Sequence, residues 1–140
     1  MIQKYDLLRV LDIPNPHDCV IERITQDKDC FIFQFEDNIT KNDSAKFYCP
    51  SAKSLIVRYY PLDMDYCLYL KKTRKRKEGF ISSYTSMESD ALFHLTERKY
   101  VLEYLYHYTY YGSLILVLWS RGEFRLEFPD IKYVEYNWIE

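Results

Sequence analysis

Glycine is scarce in this chain, with only Gly79, Gly112 and Gly122 among 140 residues. Loops that cradle phosphate with backbone amides need several glycines close together, so a P-loop or dinucleotide fingerprint is excluded. No Cys-x-x-Cys pair occurs, and Cys19, Cys30, Cys49 and Cys67 stand singly, so no zinc-ribbon ligand set is present. The G-x-S-x-G and H-E-x-x-H signatures are missing as well. No apolar run approaches the roughly 18 residues of a membrane helix. The longest, Leu114 to Trp119, has the length of a strand. The opening Met1 to Asp6 lacks the cationic start and apolar stretch of a signal peptide. These absences lead to the expectation of a cytoplasmic, non-catalytic protein with reduced thiols. They imply no cofactor, no metal and no membrane contact.

Aromatic residues are abundant. With 48% apolar residues in 140, one domain spanning residues 1–140 can bury a core without disulfides or metal. Six tyrosines fall between Tyr100 and Tyr111, and Tyr100, Tyr104, Tyr106, Tyr108 and Tyr110 share even positions. A strand sends alternate side chains to one face, so this set reads as an aromatic ladder, whereas a helix would scatter it. Gly112-Ser113 then reads as a two-residue hairpin loop. That turn sets Tyr110 opposite Ile115, Tyr108 opposite Val117 and Tyr106 opposite Trp119. Phe124, Leu126 and Phe128 alternate with Glu123, Arg125 and Glu127, and Ile131 to Trp138 follows a Pro129-Asp130 turn. The C-terminal part is thus expected to be a four-stranded antiparallel meander.

Upstream, Val20, Ile21 and Ile24 lead through Asp27-Lys28-Asp29 to Phe31, Phe33 and Phe35, a hairpin with three phenylalanines on one face. Leu55 to Tyr60 and Tyr66 to Leu70 are further strands. Ile2, Tyr5, Leu8 and Leu11 have helical spacing, Lys46 to Cys49 suits a short strand, and Met87 to Leu95 a short helix. The fold expected is mainly β, an antiparallel sheet rolled or sandwiched, with one or two short helices. Phe31, Phe33, Phe35, Val117, Trp119 and Phe124 are its expected core.

His17-Asp18-Cys19 has the residue types of a catalytic triad. In an extended segment, however, His17 and Cys19 stand about 6.5 Å apart and Asp18 points the opposite way. The expectation is local hydrogen bonding at the entry to a strand, with Cys19 as a small buried side chain. Cys19 and Cys30 fall at opposite ends of one hairpin, roughly 17–20 Å apart, too far to share a metal or a disulfide.

Charge is segregated. The formal net charge is −2, yet Lys71, Lys72, Arg74, Lys75, Arg76 and Lys77 place six cations in seven residues. Like charges this dense resist burial, so an exposed hairpin tip or loop is expected, and a polyanion is one candidate ligand. The acidic remainder includes Glu36, Asp37, Asp43, Glu123, Glu127 and Glu135.

The run Asn15-Pro16-His17-Asp18-Cys19-Val20-Ile21-Glu22, followed by the Phe31/Phe33/Phe35 strand, resembles small bacterial β-domain proteins, some of them immunity proteins of polymorphic toxin systems. The resemblance spans residues 15–35 and transfers no functional residue. It implies a cytoplasmic binding protein that neutralises one cognate toxin. Tyrosine and arginine are favoured at interfaces, so Glu123, Arg125, Glu127, Tyr133 and Glu135 are the partner-binding candidates. Two other classes remain open on these residues. One is a nucleic-acid or polyanion module using Lys71 to Lys77, and the other a homo-oligomer that buries its tyrosines against a copy of itself.

Overall fold

The structure is a computed structural model that describes residues 1–75 and 81–140, except the side chains of residues 73–75, 81–83 and 89. Its strands are β1 (Ile2–Tyr5), β2 (Val20–Gln26), β3 (Phe31–Phe35), β4 (Ser54–Pro61), β5 (Leu68–Lys75), β6 (Ile81–Ser86), β7 (Leu102–Tyr110), β8 (Ser113–Trp119), β9 (Glu123–Phe128) and β10 (Ile131–Ile139). Two short helices, α1 (Asp43–Tyr48) and α2 (Ser89–His94), sit in the connections. All ten strands join one sheet in the order β1-β10-β4-β3-β2-β7-β8-β9-β5-β6. The mainly-β antiparallel reading therefore holds.

Alternation decides which face is buried. In β3, Phe31, Phe33 and Phe35 are buried while Ile32 and Gln34 are only partly covered. In β9, Phe124, Leu126 and Phe128 are buried, and Leu114, Leu116 and Leu118 line the same face of β8. The narrow β2–β7 junction, Val20 with Glu103 and Ile21 with Leu102, lets the sheet fold over so that these faces meet. Phe31 of β3 reaches Phe128 of β9 at 5.7 Å between ring centroids. Tyr59 of β4 stacks on Phe128 at 5.6 Å, and Phe35 meets Tyr104 of β7 at 6.1 Å. The result is two layers around one aromatic core, β1-β10-β4-β3-β2 against β7-β8-β9-β5-β6.

Several expectations are corrected. Residues Ile2–Tyr5 form β1, paired with β10, because four residues are too few for alternation to show in the sequence. The helical spacing that continues to Leu11 belongs to a turn at Asp6, whose carbonyl accepts from the amide of Val10 at 2.8 Å. Only Leu7 of that turn is buried, while Leu8 and Leu11 are exposed. Lys46 to Tyr48 belongs to α1, which buries only Ala45. The C-terminal meander has three strands rather than four. After Pro129-Asp130 the chain crosses between layers, and β10 inserts between β1 and β4. The crossing is anchored by the Ile131 amide donating to Gly112 and the Leu62 amide donating to Asp130.

The β7–β8 hairpin turns one residue earlier than expected, at Tyr111 and Gly112, both with positive φ (25° and 83°). Tyr110 therefore pairs with Ser113, Tyr108 with Ile115 and Tyr106 with Val117. A bulge between Tyr104 and Tyr106 sends the chain across the alternation. Tyr104 is fully buried, but Tyr108 and Tyr110 are exposed. The ladder is thus split between core and surface. Trp119, on the surface side of β8, is 44% exposed, contrary to its expected place in the core. The other five expected core residues are buried.

Candidate functional site

The outer face of the β7-β8-β9-β5-β6 layer collects side chains far apart in the chain. One cross-strand row runs Tyr108, Ile115, Glu127 and Leu68, and the next Tyr106, Val117, Arg125 and Leu70. Beyond them Trp119 pairs with Glu123, and Lys72 pairs with Tyr84 on β6. Tyr108 is 51% exposed and Tyr110 71%. The Tyr106 and Tyr108 rings meet edge to face at 5.2 Å, and the hydrogen bond between their hydroxyls raises the Tyr106 pKa, with burial adding to it. This is a broad aromatic surface facing solvent.

At its centre is a polar unit. The Arg125 guanidinium carbon sits 4.2 Å from the Tyr84 ring centroid, and its Nε lies 3.5 Å from a carboxylate oxygen of Glu123. The Tyr84 hydroxyl donates to that same carboxylate. Burial first, and then the Glu123 carboxylate, push the Tyr84 pKa up to about 12, with Arg125 opposing. Only 22% of the Arg125 side chain and 11% of the Glu123 side chain is exposed. Both are held in place by their neighbours, so a partner meeting them finds them already ordered.

Of the candidates named from the sequence, Glu123, Arg125 and Glu127 come together on this face. Tyr133 and Glu135 do not join them. They lie on β10, on the outer face of the other layer, where Tyr133 stacks on Tyr60 at 4.5 Å. Glu135 is within ion-pair reach of Arg58 at 3.6 Å and Lys4 at 4.0 Å. Glu36 is buried and holds Lys41 at 2.9 Å and the Asn42 amide at 3.2 Å, fastening the loop before α1. It is a structural residue, while Asp37 and Asp43 are exposed near α1.

The cationic run also departs from expectation. Lys71 to Lys75 is not a loop but the second half of β5, paired residue by residue with β6 up to Lys75 opposite Ile81. Arg76 and Lys77 lie outside the described residues. Lys71 rests over the Phe124 ring at 6.0 Å, which gives its stem an apolar seat.

At the His17-Asp18-Cys19 step the imidazole engages the Leu105 carbonyl through Nδ1 and lies 3.6 Å from Asp18 through Nε2. The Cys19 thiol instead meets Ser44 at 3.7 Å and the His17 carbonyl at 3.9 Å. Burial pushes that thiol up to about 11. All four cysteines are free. Among the described residues no three His, Cys, Asp or Glu side chains converge as metal ligands.

Compared with known proteins, the chain matches no family model, no curated protein and no solved structure.

Tyr84, Tyr106 and Tyr108 were not singled out by sequence as surface residues. A period of two assigns the whole ladder to one face, and only the bulge at Leu105, which has no sequence mark, turns its second half outward.

Proposed function

We propose that this protein is a non-catalytic binding domain that recognises another protein through the outer face of β7, β8, β9 and β5. One observation carries the reading: Tyr106, Tyr108, Tyr110, Ile115 and Leu68 lie in adjoining rows beside an Arg125–Glu123–Tyr84 unit on one outer face of the sheet. Contiguous exposed aromatic surface mismatched to water marks an interaction site. Tyrosine and arginine at the centre of such a patch supply most of the binding energy in known interfaces. The ion pair sets orientation, because a partner must match its polarity to avoid stranding either charge.

The resemblance of residues 15–35 to immunity proteins gives the partner its class, a toxin encoded beside this chain. Co-expression with the product of the adjacent reading frame tests it. Protection of the host cell and a stable complex are expected, and both should be lost on replacing Tyr106 and Tyr108 by Ala. Neither protection nor complex with the unaltered protein would contradict the immunity assignment.

A further inference from the structure

A second surface lies beside the tyrosine rows, at the turn Ser120–Gly122 between β8 and β9. A cleft of about 390 Å³ opens there, lined by Lys72, Trp119, Arg121, Gly122 and Glu123. Its acid is already satisfied: Glu123 accepts the Tyr84 hydroxyl and faces Arg125. Neither Lys72 nor Arg121 has a carboxylate partner among the described residues. Arg121 holds a left-handed backbone (φ 53°) and lies over the Tyr100 ring at 4.3 Å.

Two more cations ring the same end of the sheet. Arg98 donates to the Ser120 carbonyl at 3.4 Å and lies 5.7 Å from the Phe124 ring. Lys71 sits near that ring too. Arg74 and Lys75 continue along β5 past its last pairing with β9 at Lys71. Arg121 of the turn thus meets Lys72 of the basic strand at the cleft, while Arg98 and Lys71 stand on the Phe124 side of the sheet. Trp119 lines the cleft between strand and turn together with Lys72 and Arg121, on the sheet face opposite Phe124.

We infer that this cleft binds single-stranded nucleic acid, with a base stacked on Trp119 and the flanking phosphates held by Lys72 and Arg121. Stacking on an exposed aromatic ring requires a base whose face is free, which a duplex does not offer. Phosphates need cations without an internal counter-charge, and both are present here. The inference does not depend on the tyrosine rows binding a protein.

The test is fluorescence anisotropy of labelled oligo(dT) at low salt, together with quenching of the intrinsic tryptophan emission. Trp138 is fully buried, so quenching reports Trp119. Expected are quenching on binding and an affinity that falls with salt at a log–log slope of about −1.4, for contacts from Lys72 and Arg121. Lys72→Glu and Arg121→Glu should each weaken binding about tenfold or more, and Trp119→Ala about fivefold. Circular dichroism confirms that each variant is folded, and Arg121 on the exposed turn keeps the test open if Lys72→Glu is not. The proposal is overturned if oligo(dT) does not bind, if Arg121→Glu binds normally, or if poly-glutamate binds equally. Equal affinity for dTMP and oligo(dT) would overturn the strand assignment in favour of a free nucleotide.

Discussion

The Arg125 guanidinium lies over the Tyr84 ring, its central carbon 4.2 Å from the centroid, while Glu123 joins the two. Glu123 accepts the Tyr84 hydroxyl and approaches the Arg125 Nε at 3.5 Å. The three side chains come from β6 and β9 with β5 between them. They tie the edge strand to the body of the layer from above the sheet.

Removing the cation strands the acid. Arg125→Ala leaves Glu123 largely covered with no counter-charge, at an expected cost of about 2 kcal/mol. Tyr84→Phe removes one hydrogen bond and should cost about 1 kcal/mol. Urea unfolding measures both, and an Arg125→Ala midpoint equal to that of the parent would contradict the coupling.

His107 sets a pH dependence. Its Nδ1 is hydrogen-bonded to the hydroxyl of buried Tyr104 at 2.6 Å, and burial pushes its pKa down to about 4, with Asp12 opposing. An unfolded histidine titrates near 6.5. Because the folded value is the lower one, stability is complete above about pH 6.5 and is lost as pH falls from there through about 4. The loss is on the order of 3 kcal/mol. His94 acts in the opposite direction, since Glu97 raises its pKa, but it is exposed and its effect is weak. Urea midpoints across this range should fall steeply in the parent and much less in His107→Phe. An unchanged fall in His107→Phe would reject this role.

Core and surface aromatics should separate cleanly. Phe33 is fully buried, so Phe33→Ala should cost about 3–5 kcal/mol. Trp119→Ala, on the outer face, should cost under about 1 kcal/mol. Thermal unfolding of the pair checks this, and a large loss at Trp119 would return it to the core.

How much of this was legible in the sequence differs from element to element. The Phe31/Phe33/Phe35 strand and the Phe124/Leu126/Phe128 strand follow period two without interruption, and both lie where that pattern puts them. The β7–β8 hairpin was legible as a hairpin but not in register. Its loop begins at Tyr111, a residue that rarely adopts positive φ, so sequence favoured Gly112-Ser113 instead. The candidate site suffered most, because the Leu105 bulge decides which tyrosines face outward. Tyr133 and Glu135 were separated from Glu123 and Arg125 by the crossing at Pro129-Asp130, and a two-residue link looks the same in sequence whether it stays in one layer or changes layers.

Gly112 is the position where that hairpin needs glycine. Its φ is +83°, and an added Cβ would come within 3.0 Å of the Leu8 side chain. Leu8 is exposed and can give way, so the backbone accounts for most of the expected cost of Gly112→Ala, about 1 kcal/mol. Chemical unfolding measures it, and a stabilised variant would contradict the left-handed turn.

The central claim, that a protein partner docks on the outer face of β7 to β9, is tested most directly by site-specific photocrosslinking in cells that naturally make this chain. A photoreactive phenylalanine analogue at position 108 should yield one dominant crosslinked protein, lost when Arg125 is also replaced by Ala. The same analogue at position 133, on the opposite layer, should yield none. No adduct at 108, or an adduct at 133 alone, would contradict the account.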